Sequence, residues 1–358
     1  MSTGSLIGKE YIEINGRRVG RGYPTYVIAE MSGNHNLDFG RAIEIIHMAK
    51  DNGADAVKLQ TYTPDTMTID CDEPPFILPE TNTWGGTSLY KLYQTAYTPW
   101  EWQADLIKAA REIGIDCFST PFDSTAVDFL EELDVPVYKV ASFEVMDIPL
   151  LRRIAQTGRP MLISTGMATI GQIDEAVQTV LSEGAKDILL LQCASAYPAP
   201  PSSLNLRTIP NMAETWHTPI GFSDHSLGIA AALASVALGA CLIEKHVTLS
   251  RADGGPDAEF SLEPHELREL TSGVKVVEQA LGSVAYGPSD AERGNVVFQR
   301  SIFAVADIKA GDKLTVDNVR VIRPGNGLAP KFLDQILGLR TGRDIKRGAP
   351  INWNVLSS

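Results

Sequence analysis

The chain has 358 residues, 44% hydrophobic and 21% charged, with a formal net charge of −13. That composition suits a globular protein with one large domain and one small one. The charge argues against nucleic acid as a partner, but not against an anionic small molecule, because local cations decide that. No apolar run nears the ~20 residues a membrane helix needs, and Met1–Gly8 has no apolar core of a signal peptide. No membrane partner and a cytoplasmic location are therefore expected. The four cysteines include no Cys-x-x-Cys. Cys117, Cys193 and Cys241 sit in apolar runs and read as core thiols of a reducing compartment rather than a metal or redox site.

Tyr11–Ile14 and Arg17–Val19 flank Asn15-Gly16, the signature of a tight hairpin. Strand-like runs then follow at Tyr26–Ala29, Ala56–Gln60, Asp116–Ser119, Val137–Val140, Met161–Ser164, Ile188–Cys193, Pro219–Phe222 and Ala240–Glu244. Amphipathic segments lie between them, among them Phe39–Asn52, Trp100–Ile113, Thr125–Leu133 and Ile170–Ser182. Gly53, Gly114, Gly158, Gly184 and Gly239 stand where helices need a left-handed cap. Eight strand–helix units in roughly 250 residues predict a closed (β/α)₈ TIM barrel. A doubly wound open sheet is the alternative, but no G-x-G-x-x-G opens a helix after the first strand.

The stretch from Asp70 to Thr98 exceeds an ordinary loop and reads as a lid, a substrate wall or a bland insertion. The barrel is expected over residues 1–282 with its hairpin, a linker over 283–299 and a small domain over 300–358. In the tail, Asp307-Ile308-Lys309-Ala310-Gly311 is echoed by Asp344-Ile345-Lys346-Arg347-Gly348. The repeat predicts a compact pseudo-symmetric unit, small enough to need a docking surface.

The chemistry-bearing residues cluster at strand ends, where a barrel builds its site. Gly221-Phe222-Ser223-Asp224-His225 and Leu242-Ile243-Glu244-Lys245-His246 are apolar strands that each stop at a histidine. One such histidine alone reads as a satisfied core residue; two at consecutive strand ends could hold one divalent metal. Lys58 and Lys139 end two further strands, and alternation sends Lys58 with Gln60, and Glu244 with His246, to one face. Inward charges are costly unless paired or ligand-bound. Ser119-Thr120-Pro121-Phe122-Asp123, Ala141-Ser142-Phe143-Glu144 and Ser164-Thr165-Gly166 put hydroxyls after three successive strands. Each is an anion donor or a helix cap. Glu30 faces the mouth, and His35 reads as either a loop or a capping residue.

These runs resemble the sialic acid synthase family. The likeness rests on Ile28-Ala29-Glu30 with Asn34-His35-Asn36, Gly53 to Thr61, Ser119 to Asp123, Tyr197-Pro198-Ala199-Pro200, the two histidine motifs and Gly254-Gly255-Pro256-Asp257. Arg323-Pro324-Gly325-Asn326-Gly327-Leu328 resembles that family's antifreeze-like (SAF, β-clip) domain. Lys58 to Thr66, Leu89 to Tyr93, Thr98 to Trp102 and Thr125 to Leu130 are most similar to its pseudaminic acid synthase branch. Leu37 departs from the pattern, standing where many members have glycine, which bears on the first loop and the sugar's fit.

The resemblance implies condensation of phosphoenolpyruvate with the aldehyde of an N-acetylated amino sugar, with phosphate lost by C–O cleavage. The favoured sugar is 2,4-diacetamido-2,4,6-trideoxy-L-altrose and the product pseudaminic acid. By the same resemblance His225 and His246 bind the divalent metal, Mn²⁺ foremost, with Mg²⁺ or Co²⁺ possible. Lys58, Thr120, Phe122, Lys139, Ser142, Ser164 and Ser223 line the substrate. Glu30, Gln60, Glu144, Glu244 and Asp257 contact sugar or water, or move protons. A domain-swapped homodimer is implied, with Arg323 reaching the other subunit's barrel. The alternatives are an N-acetylneuraminate or legionaminate synthase, a metal-dependent pyruvate aldolase, and a non-catalytic carbohydrate-binding protein.

Overall fold

The computed structural model describes residues 9–80 and 84–357. The expectation for Met1–Gly8, and three positions of the long loop, lie outside them. Two compact units make up the chain, 1–282 and 283–358.

In the first unit a hairpin of β1 (Tyr11–Ile14) and β2 (Arg17–Gly20) turns at Asn15-Gly16, both at positive φ. Eight parallel strands follow: β3 (Tyr26–Glu30), β4 (Ala56–Thr61), β5 (Asp116–Pro121), β6 (Tyr138–Val140), β7 (Met161–Ser164), β8 (Ile188–Cys193), β9 (Ile220–Asp224) and β10 (Leu242–His246). They close in chain order, β10 returning to β3, as a TIM-type barrel. Six of the eight barrel strands, all but β5 and β4, are buried at every position, which is why they read as continuous apolar runs.

The helices follow their sequence signals. Phe39–Asp51 is capped by the Asp38 carboxylate, which accepts the Arg41 N–H at 3.0 Å, and it buries Ala42, Ile45, Ile46 and Ala49. Thr169 and Gln172 cap Ile170–Ser182 reciprocally. The five cap glycines all have positive φ.

The hairpin stoppers the N-terminal end of the barrel. Ile12, Ile14 and Val19 are fully buried. Asn15 Nδ2 donates to Asp116 Oδ1 at 2.8 Å, and Arg17 pairs with Asp55, both partners lying at the starts of strands. The C-terminal strand ends are left to build the site.

The second unit pairs β11 (Ser301–Ala304) with β12 (Val319–Ile322) around a core that includes Ile302, Ile308, Leu314, Ile345 and Ile351. Its repeat is structural. Ile308 and Ile345 bridge antiparallel. Asp344 accepts the Ala310 N–H at 2.9 Å, and Asp307 accepts the Arg347 N–H at 2.8 Å. Lys309 and Lys346 complete the exchange as surface ion pairs with Asp344 and Asp307. No helix among the described residues is long and apolar enough to cross a membrane.

Candidate active site

Register dictates the floor of the site. Glu30 stands opposite Lys58 in the β3–β4 ladder, and Glu244 opposite Ser223 in β10–β9. Lys58 Nζ lies 2.8 Å from Glu30 Oε2 and 3.8 Å from Glu244 Oε1, and donates to Thr120 Oγ1 at 3.0 Å. Lys139 Nζ lies 3.5 Å from Glu244 Oε1. Gln60 Nε2 donates to Glu30 Oε1 at 2.9 Å and to Ser32 Oγ at 3.1 Å. Ser223 Oγ donates to Glu244 Oε1 at 3.2 Å.

Two ammonium groups and two carboxylates therefore share one buried cluster. Burial disfavours the charged form of Glu244, but Lys139 and Lys58 overcome it and hold the carboxyl below its usual range. Burial also weighs on Lys58, where Glu244 and Glu30 more than reverse it. For Lys139 burial prevails over Glu244, and its pKa falls.

Hydroxyls and orphaned oxygens accompany this floor. Ser142 Oγ accepts the Gly166 N–H at 3.1 Å. A Cβ at Gly166 would collide with the Ser142 and Ser195 hydroxyls, so the backbone approaches there as only glycine allows. Ser164 Oγ, Glu144 Oε2 and Glu244 Oε2 are buried without a hydrogen-bond partner among the described residues. Native interiors rarely tolerate such atoms, which marks a place for a ligand. Burial pushes the Glu144 carboxyl up to about 7.

The histidines follow β9 and end β10. The rings of His225 and His246 lie 5.3 Å apart between centroids. His225 Nδ1 donates to the Ala194 carbonyl at 3.1 Å, which leaves Nε2 as the lone-pair nitrogen. His246 Nδ1 faces Asp257 Oδ2 at 3.4 Å. Asp257 also accepts from the Ser32 hydroxyl. Gly255, at φ +129, lays its backbone against the Asn34 and Asn36 side chains just before Asp257. His225 and His246 are two buried imidazoles side by side, borderline donors that fit a divalent metal, and Asp257 is buried beside His246.

Tyr93 and Trp84 of the long loop join an aromatic cluster with Tyr62, Phe122 and Tyr197. Tyr62 packs edge-on against Phe122 at 5.2 Å and Tyr93 at 5.6 Å. Trp84 Nε1 donates to the Pro256 carbonyl at 2.8 Å, and its ring lies 5.8 Å from Tyr197.

The barrel thus gathers Glu30, Lys58, Gln60, Thr120, Phe122, Lys139, Ser142, Glu144, Ser164, Ser223, His225, Glu244, His246 and Asp257 around its C-terminal mouth. Arg323 is exposed in the second unit, at the end of β12.

Some neighbours had no site role in the sequence reading. Tyr197 lies 4.5 Å from His225, and Phe260 5.0 Å from His246, ring to ring. Cys117 and Cys241 are core thiols, but Cys193 places its sulfur 3.8 Å from His225 Nδ1, at the site's edge. The alternation of β8, ending beside His225 just after β9, is the signal that could have found it. His35 is neither exposed nor a ligand. Its Nδ1 accepts the Leu37 N–H and its Nε2 donates to Thr98, both at 3.1 Å. Burial, then Arg41, lowers its pKa to about 4, so it is neutral. That bond holds Leu37 at φ +54, where glycine would be at ease. A further group of donors, Glu263, His265 and Glu266, lies at the start of the helix Pro264–Leu281, where Arg251 pairs with both carboxylates.

The NeuB family profile matches residues 45–286, and a SAF domain profile matches 299–357. The chain belongs to the NeuB family. It is 39% identical to the pseudaminic acid synthase of Helicobacter pylori, over 92% of this chain and 97% of the relative. It is 36% identical to the N,N'-diacetyllegionaminic acid synthase of Campylobacter jejuni, over 88% of this chain and 95% of the relative. Among solved structures it resembles the N-acetylneuraminic acid synthetase of Leptospira borgpetersenii, with TM-score 0.72 and 30% identity, covering 80% of this chain and 95% of that one. The barrel is accordingly that of an enzyme of the phosphoenolpyruvate-dependent, nonulosonic acid synthase type.

Proposed function

We propose that this protein condenses phosphoenolpyruvate with 2,4-diacetamido-2,4,6-trideoxy-L-altrose and water to give pseudaminic acid and inorganic phosphate. The observation that carries the reading is the buried floor of Lys58 and Lys139 beside the unpartnered Ser164 hydroxyl and the Gly166 cradle. Cations, hydroxyls and a close backbone amide are what a phosphate and a carboxylate require. Tyr93 and Phe122, half-buried and packed on the buried Tyr62 ring, offer an apolar face to a deoxygenated, acetamido-bearing sugar.

Residues 1–282 carry the reaction, 283–299 link, and 300–358 form the SAF domain. Lys58, Lys139, Thr120, Ser142, Ser164 and Ser223 hold phosphoenolpyruvate. A divalent metal at His225 and His246, Mn²⁺ by preference with Mg²⁺ or Co²⁺ as substitutes, supplies Lewis acidity toward the aldehyde oxygen. Asp257 orients His246, and Ala194 fixes the tautomer of His225. As C3 of phosphoenolpyruvate bonds to the aldehyde carbon, positive charge develops at C2, and Glu30 and Glu244 face it. Gln60, donating to Glu30, fixes that carboxylate's direction. Water adds at C2, and the C–O bond to phosphate breaks. Glu144, protonated near neutral pH, supplies or takes up the proton that this exchange requires. The active form is a cytoplasmic homodimer in which Arg323 of the partner subunit reaches the sugar.

The test offers phosphoenolpyruvate with the trideoxy-altrose, N-acetylmannosamine or the legionaminic precursor, and measures product mass and phosphate. A nine-carbon keto acid from the altrose sugar, with equimolar phosphate, is expected. Turnover confined to another sugar overturns the substrate, and a keto acid from pyruvate without phosphate release overturns the reaction.

A further inference from the structure

His225 lies between Asp224 and Ser226, and His246 follows Lys245 directly. Those flanking residues face away from the site, as strand alternation requires of the neighbours of inward histidines. Lys245 Nζ donates to Asp224 Oδ2 at 2.9 Å and to the Ser226 carbonyl at 2.5 Å. Asp224 Oδ1 in turn accepts the Ser226 N–H at 2.8 Å and its hydroxyl at 2.7 Å. Lys245 and Asp224 are 1% exposed and stand opposite each other in the β9–β10 register. One ammonium group on β10 thus grips the chain on both sides of His225.

A buried ion pair is poor evidence for stability, since apolar residues of the same volume hold a fold as well or better. Its virtue is geometry, because the ion pair, the ammonium's bond to the Ser226 carbonyl and the two bonds from Ser226 to the Asp224 carboxylate fix direction as a methyl cluster cannot. This clamp ties together the two segments that present His225 and His246 from the opposite face.

We propose that Lys245 and Asp224 are positioning residues that set the mutual placement of His225 and His246 for divalent-metal capture. The proposal rests on those histidines being the metal ligands. The pair touches no substrate and sits outside the barrel wall. Residues that orient ligands from behind typically change metal affinity by roughly 10–100-fold when lost.

The experiment uses the full chain freed of metal by chelation and titrated with Mn²⁺, with affinity read by calorimetry and folding by thermal melting. Lys245→Met leaves Asp224 buried without its partner and is one arm. The double variant Asp224→Asn with Lys245→Met leaves no unpaired buried charge and is the arm expected to keep its fold. His225→Ala is the control. The expected result is a Mn²⁺ dissociation constant raised at least tenfold in the double variant, with a metal-free melting temperature close to that of the parent. A folded double variant that binds Mn²⁺ like the parent, while His225→Ala does not, overturns the positioning role alone. Parent-like binding by His225→Ala overturns the ligand assignment beneath it. Variants that do not fold without metal make the pair a stabilising element and also overturn the proposal.

Discussion

Lys139 Nζ and Glu244 Oε1 stand 3.5 Å apart, with Lys58 3.8 Å from the same oxygen. Glu244 thus faces both ammonium groups of the barrel floor, and Glu30 pairs with Lys58 at 2.8 Å. An arriving trianion would draw both lysines toward itself, and Glu244 would turn from their counter-ion into a carboxylate facing the reacting carbons. The cations of the floor are thus already gathered before substrate arrives.

Lys139→Ala removes one charge-assisted contact, worth about 1.5–3 kcal/mol. Steady-state kinetics should show kcat/KM for phosphoenolpyruvate lowered roughly 10- to 150-fold, with folding retained because Lys58 still faces Glu244. Unchanged kinetics would place Lys139 outside the phosphoenolpyruvate site.

Chelation should abolish turnover, and Mn²⁺, Co²⁺ or Mg²⁺ should restore it. His225→Ala and His246→Ala should each lose both activity and bound metal, measured by atomic emission on the dialysed protein. Full activity in a sample with no detectable metal would sink the ligand assignment.

Glu144 gives a signature in stability. Burial raises its carboxyl to about 7, above the ordinary value of 4.5 that it regains on unfolding. Between those values the folded chain holds the extra proton, so stability falls as pH rises through that window. The whole effect is of order 3 kcal/mol and is fully present above pH 7. Urea unfolding of Glu144→Gln should therefore show it gaining on the parent from pH 4.5 to pH 7.5. Parallel profiles would mean that Glu144 ionises as an ordinary carboxylate.

Bond cleavage is tested with ¹⁸O in the bridging oxygen of phosphoenolpyruvate. The label should leave in inorganic phosphate, seen by the isotope shift in its ³¹P signal. Label retained in the keto acid would mean P–O cleavage and a different attack.

The partner contribution is tested by mixing inactive variants. Arg323→Ala and His225→Ala should each be nearly inactive. Heterodimers formed by co-refolding should restore one site, giving roughly a quarter of parental activity for random pairing. Heterodimers that stay inactive would rule out a site shared in this way.

The barrel was legible because its strands are unbroken apolar runs and its helices end at glycines with positive φ. The ends of strands were less so. The apolar run of β9 stops at Phe222, but the ladder continues to Asp224, and β10 continues past Glu244 to His246. Polarity marks where side chains meet the site, not where backbone pairing ends. Lysines and histidines at those ends announced the floor and its rim. Ser32, Cys193 and Phe260 did not announce themselves, because each acts through a neighbour distant in sequence, as Ser32 does through Asp257. Nothing local distinguishes a serine that braces a carboxylate from one that caps a turn.

Closure of the barrel joins β10 to β3, with His246 opposite Glu30. The first strand of the ring therefore waits for the last. At about 5–20 residues per second, the ribosome needs on the order of 10–40 s to make the chain between them. Throughout that time Tyr26–Glu30 presents an apolar edge with no partner on one side. A nascent chain of this protein is thus most exposed to mispairing and chaperone capture just before its eighth barrel strand emerges, and truncations ahead of Leu242 should aggregate rather than fold partway.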